Sequence, residues 1–155
     1  MNTRTFITGF VAGALLSAGA TVWAVNKRNV DQEEKNLAIA TQFYDLLLNQ
    51  KDFDTGRKMI GNRYVQHNPN AVSGIEGIEN HINMLKTTYP LNHGEIKHVF
   101  TNGDLVALHV HSKRTPDSAG NAVVDMFRIE NGKVVEHWDV VQAVPEKPLN
   151  NNTMF

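Results

Sequence analysis

Two Asn-Gly dipeptides, Asn102-Gly103 and Asn131-Gly132, each separate two runs of alternating apolar and polar residues. Both positions of such a dipeptide accept positive φ, which the tight turns between right-twisted strands require, so the pattern predicts two β-hairpins. The first joins residues 95–101 to 105–113 and the second joins 122–129 to 133–144, with Pro116-Asp117-Ser118-Ala119-Gly120 linking them. Four such strands have an apolar face to bury, and something must cover it.

The upstream sequence supplies the cover. Leu37, Ala40, Phe43, Tyr44, Leu47 and Leu48 recur at spacings of three and four, an amphipathic helix over 36–50. Asp52-Phe53-Asp54 opens a short second helix ending near Gly61, and residues 63–67 read as a strand stopped by Asn68-Pro69-Asn70. Ser73-Gly74-Ile75-Glu76 matches a capping box, ahead of a third helix that carries Ile75, Ile78, Ile82 and Leu85 on one face and stops before Pro90. Helices followed by an antiparallel meander make an α+β domain, a curved sheet wrapped on N-terminal helices over residues 36–145, with a flexible tail at 146–155.

With 155 residues the chain has room for one such domain. It has no Cys, which excludes disulfide frameworks, thiolate metal sites and cysteine nucleophiles. A formal net charge of −1 offers no electrostatic footprint for nucleic acid. Residues 5–26 are uncharged, Arg4 supplies a positive start, and Val22-Trp23-Ala24 has the small-residue form of a cleavage site. Residues 1–24 therefore read as a secretory signal peptide and 25–35 as a linker, which places the protein in the periplasm or outside the cell. The alternative is an uncleaved N-terminal segment anchored in the inner membrane, the chain's only membrane contact; Gly9 and Gly13 have the spacing of a helix-pairing motif.

Alternation sorts the polar residues, since positions two apart share a face of a strand. Leu105, Ala107, His109 and His111 lie together, as do Val123, Asp125, Phe127 and Ile129, and Val135, His137, Asp139 and Val141. Asp125 falls among apolar neighbours, and a polar group on a face built for burial needs a partner. His67 closes the first strand and reaches the same space. His81, His93 and His98 read as structural residues. His109-x-His111 has the spacing for two imidazole ligands, and with His137 and Asp139 defines an alternative, metal-dependent site.

Tyr64-Val65-Gln66-His67-Asn68-Pro69 and the run from Val124-Asp125-Met126-Phe127-Arg128 through Asn131-Gly132 to Glu136-His137-Trp138-Asp139 resemble the SnoaL-like polyketide cyclases, within the cone-shaped nuclear transport factor two-like fold. The resemblance covers about residues 36–144. It implies a cofactor-free and metal-free enzyme that abstracts a proton next to the carbonyl of a small apolar ligand, of aldol-condensation (cyclase) or isomerase type. Ketosteroid isomerase shares the fold, and its Asp-x-x-Arg strand pattern resembles Asp125-Met126-Phe127-Arg128, so Asp125 would point into the cone. Its general base lies at the end of the first strand, where this chain departs by carrying His67 followed by Asn68. On this reading His67 or His109 takes the proton, protonated Asp125 stabilises the enolate oxygen, and His137 and Asp139 assist as acid/base groups. Tyr44, Tyr64, Asn68, His111 and Phe127 contact the substrate. The resemblance also implies a homodimer through the exposed sheet face, with Trp138 as an anchor. The rival to an enzyme is a periplasmic binding module of the same fold, which holds a small molecule without chemistry.

Overall fold

The computed structural model describes residues 10–155, with side chains described at Thr21 and from Ala24 onward. Of the expected leader over residues 1–24, residues 1–9, with Gly9 of the Gly9/Gly13 pair, lie outside the described residues, and so do the side chains of Val22 and Trp23 in the cleavage pattern. Among the described residues no helix is long and apolar enough to cross a membrane. Two compact units make up the chain, Met1–Gln32 and Glu33–Phe155.

Helix α1 spans Phe10–Tyr44 and widens into a π turn over Asp45–Asn49. Residues 25–35, expected as a linker, are helical; Lys27, Arg28, Gln32, Glu33, Glu34 and Lys35 are strong helix formers, and no Gly or Pro breaks the run. Helix α2, Phe53–Gly56, starts at Asp52, whose carboxylate accepts the Thr55 N–H, and continues as a 3₁₀ turn over Arg57–Met59. Strand β1 (Ile60–Gln66), helix α3 (Ile75–Thr88) and strands β2 (His93–Asn102), β3 (Leu105–Lys113), β4 (Asn121–Glu130) and β5 (Lys133–Ala143) follow.

The capping box expected before α3 does not form. Gly74 is the N-cap at φ 88°, without a side-chain cap, and Ser73 Oγ instead accepts the Gln66 N–H at 3.0 Å, tying the end of β1 to the start of α3. Both hairpins form. Asn131 and Gly132, at φ 51° and 74°, make the turn between Glu130 and Lys133. In the first hairpin the turn lies one residue later than expected, at Gly103-Asp104, because Asn102 still pairs with Leu105.

The sheet order is β1-β5-β4-β3-β2, open at both ends. Strands β2 to β5 form the expected antiparallel meander, but β1 joins β5 in parallel, so the sheet is mixed. Its inner face, built from Val106, Leu108 and Val110 of β3, Phe127 of β4 and Val134 of β5, packs on Ala40, Phe43 and Leu47 from α1 with its π turn and on Ile82 and Leu85 of α3. Burial of each of these larger side chains contributes about 1.5–3 kcal/mol. The Asn36 amide donates to the Gly103 carbonyl and the Glu33 carboxylate accepts the Gly103 N–H, which fixes the helix over the β2–β3 turn. The tail, expected to be flexible, folds back on the outer sheet face, where the Phe155 ring stacks on His111 at 4.3 Å and on His109 at 5.4 Å.

Candidate active site

Between the inner sheet face, α1 and α3 lies a cavity of about 130 Å³. Its apolar wall comes from Phe43, Leu47, Leu48, Ile78 and Phe127, and its polar groups converge from three strands: Tyr64 and Gln66 of β1, with Asn68 just beyond it, Asp125 of β4, and His137 and Asp139 of β5. Register explains the convergence. Gln66 pairs with His137, Phe127 with His137, and Asp125 with Asp139, and paired residues share a face. The carboxyls of Asp125 and Asp139 thus stand opposite one another, where a second negative charge is disfavoured.

Asp125 is 5% exposed and His137 is 9% exposed. The Asp125 Oδ1 lies 3.0 Å from His137 Nε2, and His137 Nδ1 lies 3.0 Å from Gln66 Oε1. The same Gln66 oxygen accepts the Asn68 backbone N–H at 3.0 Å, and since a backbone N–H only donates, this atom is the carbonyl oxygen. His137 Nδ1 therefore carries a proton, and in the neutral ring Nε2 is a lone pair aimed at Asp125. The Asp125–His137 contact needs one proton between its two atoms. Burial pushes the Asp125 carboxyl above its usual range, opposed by the hydrogen bond from His137 and reinforced by Asp139. Burial favours the uncharged form of the pair, with the proton on Asp125 and donated to His137.

Asp139 is the complementary carboxylate. Both of its oxygens accept from Asn68 Nδ2, at 2.7 and 2.8 Å. Tyr44 and Tyr64 are both buried, and burial holds their phenols above the ordinary range, so they remain donors. The Phe127 ring stacks on His137 at 4.9 Å and meets Phe43 edge-on at 5.6 Å, which fixes the imidazole plane. Ligand atoms of Asp125, His137 and Asp139 lie within 4.8 Å of one another, a spacing that can hold a metal ion. Here both His137 nitrogens and both Asp139 oxygens are engaged by protein partners.

The geometry brings together Asp125, His137, Asp139, Tyr44, Tyr64, Asn68 and Phe127 from the sequence-derived set. It removes three histidines. His67 has the opposite parity to Tyr64, Gln66 and Asn68, so it lies on the outer face, stacked on Trp138 at 4.4 Å with Nε2 3.6 Å from Glu136. His109 and His111 also point outward, because the buried set on β3 is Val106, Leu108 and Val110. His109 stacks on His98 at 5.6 Å, and His111 bonds the Ala119 carbonyl. The base expected at His67 or His109, the substrate contact expected at His111, and the metal set of His109, His111, His137 and Asp139 are thereby corrected.

Sequence reasoning missed Gln66 and His81. Gln66 was legible from its alternation with Tyr64. His81 lies three residues after Ile78 and four before Leu85, on the apolar stripe of α3, and it lines the cavity. Desolvation and the charge of Arg114 hold its imidazole below the usual range.

A family model described as SnoaL-like polyketide cyclase matches residues 38–146. No curated protein sequence matches the chain. Solved structures with the same fold include a candidate polyketide cyclase from Bacillus cereus (TM-score 0.60, 18% identity, covering 69% of this chain and 74% of that one). A candidate ketosteroid isomerase from Kribbella flavida has TM-score 0.62 at 16% identity, covering 80% and 90%. AclR, a candidate hydroxylase from Streptomyces galilaeus, has TM-score 0.62 at 21% identity, covering 76% and 91%. At these identities the likeness is one of fold.

Proposed function

We propose, on the premise that this chain belongs to the SnoaL-like polyketide cyclase family, that it is a cofactor-free acid/base enzyme acting on a small carbonyl compound. The observation that carries this reading is the Asp125–His137 pair, which holds one proton in an apolar cavity beside the carboxylate of Asp139. Asp139 takes the proton from the carbon next to the substrate carbonyl. The C–H electron pair becomes the enolate double bond, and the charge that moves onto the carbonyl oxygen is met by the proton shared between Asp125 and His137. The enolate then takes a proton back at carbon, which is isomerisation or exchange, or attacks a second carbonyl, which is aldol closure. Phe43, Leu47 and Phe127 keep water from competing.

Export belongs to the same proposal, supported by the uncharged run over residues 5–26 and the cleavage pattern at Val22-Trp23-Ala24. So does pairing of two copies through the outer sheet face, supported by exposed Phe100 and Val140, which share that face with Trp138. Solvent deuterium exchange at the α-position tests the chemistry, read by proton NMR on a panel of aryl and cyclic ketones. The chain is expected to exchange these protons faster than buffer, Asp125→Asn and Asp139→Asn to lose about 10²-fold or more, and His67→Gln to match the wild type. Ketones that bind without exchanging would overturn catalysis and leave a binding module.

A further inference from the structure

A second lobe of about 150 Å³ adjoins the cavity, and Tyr44, Leu48, His81, Asp125 and Asp139 line both. Its far side is polar. Ser112 and Asn121 sit opposite one another at the ends of β3 and β4, beyond the buried Val110 and Val123, and Arg114 lies two residues further on. The Arg114 guanidinium rests on the ring of Tyr89, the residue that ends α3, at 4.4 Å. Arg63 and Arg128 each meet two carboxylates on the outer face. Arg114, among the described residues, has no carboxylate within ion-pairing distance. An aromatic surface thus holds a cation at the edge of a polar lobe that opens onto the reacting groups.

We propose that this lobe binds a carboxylate carried by the substrate, with Arg114 as its anchor and Ser112 and Asn121 as neutral donors, so that the substrate class is an apolar keto acid. The inference rests on the acid/base reading of the adjoining site. Position orients the ligand: Arg114 lines only the second lobe and His137 only the first, so a keto acid enters with its carboxylate toward Arg114 and its ketone toward the Asp125–His137 pair. A guanidinium is suited to this task because its planar fork takes both carboxylate oxygens at once. Neutral His81, between the lobes, adds no second cation to compete for the anion.

Calorimetric titration of the full chain with 4-oxo-4-phenylbutanoate and with its primary amide tests this. The carboxylate is expected to bind about tenfold or more tightly than the amide, the scale of one charge-assisted hydrogen-bonded pair. Arg114→Gln is expected to abolish the difference and Arg114→Lys to keep part of it, with melting temperatures confirming that both variants fold. Equal affinities in the wild type, no measurable binding of the carboxylate, or a preference that survives Arg114→Gln overturns the proposal. The same keto acid has exchangeable α-protons, so the two readings separate. Exchange that depends on Asp125 without any carboxylate preference sinks only the anion lobe. A carboxylate preference with exchange indifferent to Asp125→Asn sinks only the acid/base reading.

Discussion

Replacing Asp125 with Asn changes one quantity that stability can read, the proton that burial forces onto this carboxyl. In the unfolded chain the group titrates near its ordinary value of 3.8, and in the fold its affinity for the proton is raised. A group with a raised value contributes stability that is fully present below the unfolded value and is lost as pH rises through the folded one. Between 3.8 and that raised value the unfolded carboxyl holds no proton and the folded one still does. Stability therefore falls with slope −2.303RT, about 1.4 kcal/mol per pH unit, until the pair lets go. The Asn amide has the same shape, donates the same hydrogen bond to His137 Nε2 and does not titrate. Urea unfolding of both proteins from about pH 4 to 8.5 isolates this carboxyl, since groups remote from it cancel in the difference. The variant is expected to gain on the wild type by up to about 1.4 kcal/mol per unit. A difference that stays flat across the range, or that runs the other way, refutes a protonated pair.

Three substitutions test the frame around it. Phe127→Ala removes the ring that packs on both His137 and Phe43 and is expected to cost about 3–5 kcal/mol in denaturant unfolding. Gly94→Ala places a methyl group against the Tyr44 hydroxyl, inside contact distance; displacing that ring is expected to cost about 1–3 kcal/mol. Gly132→Ala meets open space but sits at φ 74°, so its cost of about 1–2 kcal/mol is backbone strain alone and should leave α-proton exchange unchanged.

Local rules carried the sequence reading a long way. Alternation and turn chemistry located both hairpins, and the apolar neighbours of Asp125 marked it as anomalous before any coordinate was known. The parallel pairing of β1 was not legible, because a seven-residue strand carries no sign of its partner's direction. His67 was misplaced for a different reason. Its role came from the resemblance, while the parity that orders Tyr64, Gln66 and Asn68 turns it outward. His109 and His111 were decidable in the same way, since Val106, Leu108 and Val110 are the more apolar alternate set. The Asp125–His137 contact combines two strand registers, which no single-strand pattern contains. Arg114 gives no sequence signal at all, because what distinguishes it is the cavity beside it and the carboxylate it lacks.

The account turns on where one proton sits, and nitrogen-15 NMR of the ring nitrogens of His137 at pH 7, assigned through His137→Gln, reads it directly. The expected spectrum is a neutral imidazole protonated at Nδ1, facing Gln66, with a bare Nε2 that accepts from Asp125. A ring protonated at Nε2 alone, or at both nitrogens, would place the proton away from Asp125 and contradict the acid on which the mechanism depends.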